Sequence, residues 1–189
     1  METKNISLFY EKGLEKEASI SKDIIEIVFN FKVSLIETEM KELFKYNNKL
    51  NGFVIQISKD KEACVVLTKK NIYPYGSSSK EDDWVFGFFT NQGKIIISTA
   101  RIGRDKKKRI KRLIYLLVHE FSHFVFKDKP KHYKDFTYKN PRTGHKMDLG
   151  KHCMDEKCVM SEFIDLKDLD KHIKDKYENY FCEKCMKYL

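Results

Sequence analysis

Apolar positions along the chain follow two periods, and the change between them falls near Lys106. At the start, "NISLFY" is a short apolar run of strand type. "LEKEASISKDIIEIVFNF" then places Leu14, Ile20, Ile24, Ile27, Val28 and Phe31 at mostly helical spacing. The pattern predicts a strand followed by a helix. "KVSLIET" is a second strand candidate, whereas the stretch to Lys61 mixes Ile and Val with helix formers and suits either type. "EACVVLTKK", "WVFGFF" and "KIIISTA" are β-branched or aromatic runs separated by the turn compositions "YPYGSSSKEDD" and "TNQG". They predict strands three to five of one sheet.

From Lys106 the period becomes helical. Ile110, Leu113, Ile114, Leu117, Val118, Phe121 and Val125 make a stripe wide enough to pack on a sheet, with His119, Glu120 and His123 on the side away from it. The next segment, "KDKPKHYKDFTYKNPRTGHKMDLGK", holds two of the three prolines and little apolar periodicity, which predicts a long loop. A loop of that length in a compact domain is usually functional.

Composition narrows the class. At 189 residues with 41% hydrophobic content, the chain suits one domain with one core. The net charge of +9 favours anionic partners without saying where the charge is concentrated. "METKNISLFYEKGLEKEAS" lacks the apolar core of a signal peptide. No run approaches the roughly 18 apolar residues of a membrane helix. A soluble, cytoplasmic protein is expected, without membrane contact. In that compartment thiols stay reduced, so the clustered members of the five cysteines point to metal ligation rather than disulfides.

"HEFSH", His119 to His123, sets two imidazoles one helical turn apart on one face, so both can reach one ion. Glu120 lies beside them, placed to meet a water rather than to ligate. This is the HExxH arrangement of zinc peptidases, with the glutamate as general base. Two histidines and a carboxylate on a largely apolar helix would be costly to bury without partners, which favours a metal over a chance match. A catalytic zinc takes three protein ligands, so one more is needed. Downstream, "HCMDEKCVM" and "FCEKC" place Cys153, Cys158, Cys182 and Cys185 in C-x4-C and C-x2-C pairs, which suit a four-thiolate structural zinc. His152 precedes Cys153 directly. A zinc that pins Cys153 also pins His152, making it the expected third ligand, with His132 and His145 as rivals.

These motifs, in this order, resemble the archaemetzincins. That family joins HExxH to a histidine followed at once by cysteine, then four residues, Cys-x-Met and a final C-x2-C. "NIYPYGSSSKEDDWVFGFF" and "KIIISTARI" are also similar to its strands before the active-site helix, so the resemblance covers the chain from about Ala63 onward. It implies an α+β, metzincin-like fold: a twisted five-stranded mixed sheet with the active-site helix and a small C-terminal zinc-stabilised lobe. It further implies zinc-dependent peptide hydrolysis, a peptide or protein substrate, Met160 in the turn beneath the metal, and "WVFGFF" as the edge strand that a substrate would extend. The expected organisation is one domain over 1–189: a sheet and helix lobe over 1–126, an inserted loop over 127–151, and a lobe over 152–189 with the four-cysteine site. Two zinc ions per chain follow, one catalytic and one structural. Phe126 stands where the family has glycine, and 28 residues separate His123 from His152 where the family has only a few. Without the glycine, the helix is expected to run on and the loop to return the chain.

Two other functions fit parts of the sequence. A SprT-like protease acting on DNA-bound protein also joins HExxH to a downstream histidine and a zinc ribbon. "KHYKDF", with His132, is its foothold. A zinc module that binds nucleic acid without catalysis would use the basic run "RIGRDKKKRIKR", Arg101 to Arg112, although a solvated helix start explains that run as well. Intact Glu120 speaks against lost catalysis. Cys64 is expected to be a small buried strand residue, and His172 to be exposed and inert.

Overall fold

The strand, helix, strand order at the start of the chain folds as a parallel crossover. β1 (Lys4–Tyr10) pairs with β2 (Phe31–Glu37) from Lys4↔Phe31 to Tyr10↔Glu37, and α1 (Glu15–Phe29) connects them. The computed structural model describes residues 4–40, 43, 45–47, 52–54, 63–73, 84–90, 93–127, 130–141, 144, 146–176 and 178–189. The remaining strands of this part are β3 (Lys45–Asn47), β4 (Gly52–Val54), β5 (Cys64–Thr68), β6 (Asn71–Tyr73), β7 (Gly87–Phe89) and β8 (Lys94–Ser98). The segment to Lys61, which suited either type, thus holds two short strands. Most of the turn predicted over "YPYGSSSKEDD" lies outside the described residues.

Five of these strands form one mixed sheet in the order β2-β1-β5-β8-β7, with β7 antiparallel to β8 and the other neighbours parallel. β5 and β8 are near-continuous apolar runs because both of their faces are covered. On one face Val66 and Ile96 pack with Met40 and Ile72, joined by Phe9, Cys64 and Phe88. A smaller sheet, β3-β4-β6, supplies Ile72. Cys64 is a partly buried strand residue, close to the expectation.

α1 buries Leu14, Ala18, Ser21 and Ile25, a stripe at spacings of four, three and four. Ile27, expected in the stripe, is 78% exposed. The sequence offers isoleucines on several faces of the helix, and the face that lands on the sheet carries Ile25 and not Ile27. The helix ends at Asn30, left-handed at φ 56°, so Phe31 belongs to β2.

α2 (Lys106–Phe126) carries the predicted stripe. Phe121 is fully buried, its ring 4.6 Å from Phe29 and 5.2 Å from Phe31, and removing it from water contributes roughly 2–3 kcal/mol. The helix does not run on past Phe126. Lys127 takes φ 46°, the conformation the missing glycine would supply, and its N–H returns to His123 O at 3.0 Å. No described helix is long and apolar enough to cross a membrane.

The chain divides into two compact units, Met1–Phe121 and Ser122–Leu189. In the second, the segment expected as a loop is a β-hairpin of β9 (Tyr133–Lys139) and β10 (Lys146–Cys153). β9 is largely exposed, and β10 alternates only between exposed and half-buried positions before His152 and Cys153, so the burial pattern gave little to read; backbone bonding pairs them. α3 (Leu166–Asp175), capped by the Asp165 carboxylate, and the single turn α4 (Glu183–Met186) complete the unit.

Candidate metal centres

α2 presents His119 and His123 one turn apart, as the spacing predicts, and both His119 and Glu120 are buried. The hairpin brings the third histidine. Tyr133 pairs with Cys153 and Lys134 with His152, so 28 residues of separation shrink to the short connection from the end of α2 to Tyr133. A bulge between Asp148 and Gly150 shifts the register by one, placing His152 opposite Lys134 rather than Tyr133. Gly150, at φ 81°, has the conformation this requires, and its N–H donates to Asp148 Oδ1 at 2.9 Å. The His123 and His152 rings meet edge to face, 4.9 Å between centroids.

His119, His123 and His152 each turn a ring nitrogen into one cluster, all within 4.8 Å of one another. Burial, and then the neighbouring His152, push His123 down to about 3, so it is neutral with its lone pair available. Three convergent imidazole nitrogens, largely shielded from water, fit a zinc ion. Of the rivals for third ligand, His132 is elsewhere, and His145 lies outside the described residues.

Two residues that sequence reasoning missed complete this centre. Glu162 Oε2 accepts from His152 Nε2 at 2.8 Å, both side chains largely buried. A carboxylate on a ligand imidazole fixes its orientation and raises its basicity. Nothing in the local sequence marks Glu162. Gly87, on β7, lies against the Glu120 side chain: a Cβ there would fall 2.5 Å from Glu120 Oε1. A glycine inside the aromatic run "WVFGFF" was a legible sign of close approach. β7 is an edge strand of the five-stranded sheet, as expected.

The four predicted cysteines converge. Cys153 and Cys182 Sγ are 3.8 Å apart, and Cys158 and Cys185 Sγ 3.6 Å. Those distances are too long for a disulfide. Tetrahedral zinc with bonds of about 2.3 Å places its sulfurs about 3.8 Å apart, so the set fits a structural zinc. Hydrogen bonds from Cys158 and Cys185 hold the Cys153 thiol well below its ordinary range, and the same bonds push those two partners up. Backbone N–H groups reach the cluster as well: Asp155 donates to Cys153 Sγ and Cys182 to Cys158 Sγ, each at 3.5 Å. His132 lies here and not at the histidine centre: its Nε2 is 3.3 Å from Cys185 Sγ, and the ligand atoms of His132, Cys153, Cys182 and Cys185 all lie within 4.8 Å of one another, a set that leaves out Cys158. Met160 is fully buried, and its carbonyl accepts the Cys153 N–H at 2.8 Å, closing the loop between them.

His172, expected to be exposed, is buried. Its Nδ1 contacts Glu156 O at 2.9 Å and Ser161 Oγ at 3.1 Å, bracing the turn that holds Cys158 and Met160. Phe126, in the family's glycine position, is also buried, with its ring 5.7 Å from Phe181 and 6.1 Å from Tyr188. It fills the core of the second unit. The basic run is partly spent inside the first unit: Arg109 pairs with Glu17 at 3.1 Å, Arg112 donates to Ile102 O, and Arg101 stacks on Trp84.

Comparison with solved structures gives two matches over nearly the whole chain. An archaemetzincin from Archaeoglobus fulgidus, crystallised with malonate, aligns over 98% of this chain and 99% of its own, with a TM-score of 0.68 and 19% identity. The fold is that of an archaemetzincin. A zinc-dependent peptidase from Methanocorpusculum labreanum aligns over 97% and 98%, with a TM-score of 0.58 and 18% identity. No protein-family model matches the sequence, and no curated protein does.

Proposed function

We propose that the protein is a zinc-dependent peptidase, with His119, His123 and His152 holding the catalytic ion and the four cysteines a structural one. The observation that carries this reading is the convergence of the three histidines beside a buried Glu120. Zinc at such a centre supplies Lewis acidity and a water made acidic enough to react near neutral pH. Glu120 is the general base: its carboxylate, backed by Gly87, takes the proton from the attacking water and passes it to the leaving nitrogen. Glu162 keeps the His152 ring turned for ligation. The substrate is a peptide or protein, and the edge strand β7 offers backbone groups for it to pair with. We place the protein in the cytoplasm, where reduced thiols suit the cysteine site.

The SprT-like alternative used His132 as its third ligand, and His132 contacts Cys185 instead. Glu120→Gln tests the proposed reading: it should abolish cleavage of a broad peptide library while both zincs remain bound, because glutamine keeps the shape and cannot take the proton. Equal cleavage by wild type and variant would remove Glu120 from the role. In the same assay His152→Ala should lose the catalytic ion and His132→Ala should keep it.

A further inference from the structure

Four thiolates on one divalent cation carry a net charge of −2, and Cys158 and Cys185 are fully buried. Such a charge is tolerated only where hydrogen-bond donors surround the sulfurs. Cys153 and Cys158 take theirs from backbone N–H groups of neighbouring turns. Cys185 is served differently. Two side chains at the entrance of the hairpin approach its sulfur, His132 Nε2 at 3.3 Å and Tyr133 Oη at 3.4 Å. Their rings stack edge to face, 4.9 Å between centroids, so each limits the other's rotation.

We propose that His132 N–H and Tyr133 O–H both donate to the Cys185 thiolate and clip the β9–β10 hairpin to the structural zinc site, so that metal there orders the strand carrying His152. This rests on the reading of the cysteine set as a zinc site. The hairpin is then tied to the cluster at both ends. β10 ends in the ligand Cys153, and β9 begins at Tyr133, the residue paired with Cys153 across the ladder. Between those anchors the strands are mostly exposed and bury little of their own, so the clip supplies what packing does not. The site of the extra chain in "KHYKDF" becomes intelligible: a long excursion between two catalytic histidines returns to a fixed point because its first residues are bound to the same cluster as its last.

The test uses the full chain loaded with cobalt in place of zinc, comparing wild type with His132→Ala, Tyr133→Phe, His132→Gln and Cys158→Ser. Only the cysteine site gives thiolate-to-cobalt charge-transfer bands, and their intensity counts the thiolates. Expected is a four-thiolate spectrum in wild type, His132→Ala and Tyr133→Phe. Metal should nonetheless pass to a chelator about 10-fold or more faster from His132→Ala, the usual scale for losing a partner of a metal ligand. Proteases should cut that variant within 127–151 while wild type resists. His132→Gln, which keeps a side-chain N–H, should recover much of both properties. Wild-type chelator rate and protease resistance in both His132→Ala and Tyr133→Phe would overturn the clip. Four-thiolate bands surviving in Cys158→Ser, or a band change in His132→Ala, would overturn donation in favour of ligation by His132. Absent thiolate bands in wild type would overturn the zinc reading itself, and the proposal with it.

Discussion

The two candidate metal centres are assembled by opposite means. His119 and His123 ride on a helix held by its own backbone bonds and by buried residues such as Leu117 and Phe121, so their geometry exists before any ion arrives. The cysteines sit at the end of a strand, on a short turn and at a one-turn helix, in a unit whose buried large side chains include Phe126, Phe181 and Leu169. There a bound ion would substitute for core. One centre is preorganised by secondary structure, and the other contributes the order it needs through ligation. His152 joins them, since its ring nitrogen meets those of His119 and His123 from the strand that ends in Cys153.

Removing the cysteine ligands should therefore break the comparison most severely. Structural zinc binds with about 10–16 kcal/mol, and where no preformed site exists that binding is folding free energy. Cys182→Ser with Cys185→Ser should lower metal content from two ions to one or fewer and open Ser122–Leu189 to proteolysis while residues of the first unit stay protected. A tail as resistant as wild type would show that packing alone maintains the second unit.

Gly87→Ala probes the preorganised side. The added methyl would meet Glu120 Oε1 at 2.5 Å and Cγ at 2.7 Å, so the base must move. A displacement near 1 Å costs roughly 100-fold in rate, with a stability loss of about 1–3 kcal/mol for the overpacking. Both zincs should remain, because no ligand is touched. The stability loss should largely vanish in a Glu120→Ala background, measured by denaturant titration; an equal loss in both backgrounds would mean the two residues do not collide.

The smallest effect is expected at Lys127, whose left-handed φ of 46° carries a steric cost for any side chain with a Cβ. Lys127→Gly should stabilise the end of α2 by up to about 1 kcal/mol and leave metal content unchanged. Destabilisation would show that the lysine side chain contributes more than its backbone strain removes.

What the sequence by itself determined was local or nearly so. One helical turn puts His119 and His123 on a common face whatever surrounds them, and "ACVVLT" and "KIIIS" are too uniformly apolar to be anything but buried strands. Paired cysteines at ligand spacing announced a metal, and the cysteine beside His152 marked that histidine as tied to it. The tertiary structure decided the rest, because it turned on partners distant in the chain. The hairpin leaves little apolar periodicity, since β9 is largely exposed and β10 is only half-buried on one face before His152. His132 is assigned by a sulfur 53 positions away, and Glu162 by a ring nitrogen it meets only when the chain folds back. Ile27 and His172 follow the same rule: a helix can bury any of several faces, and only the surface it lands on selects which side chain is covered.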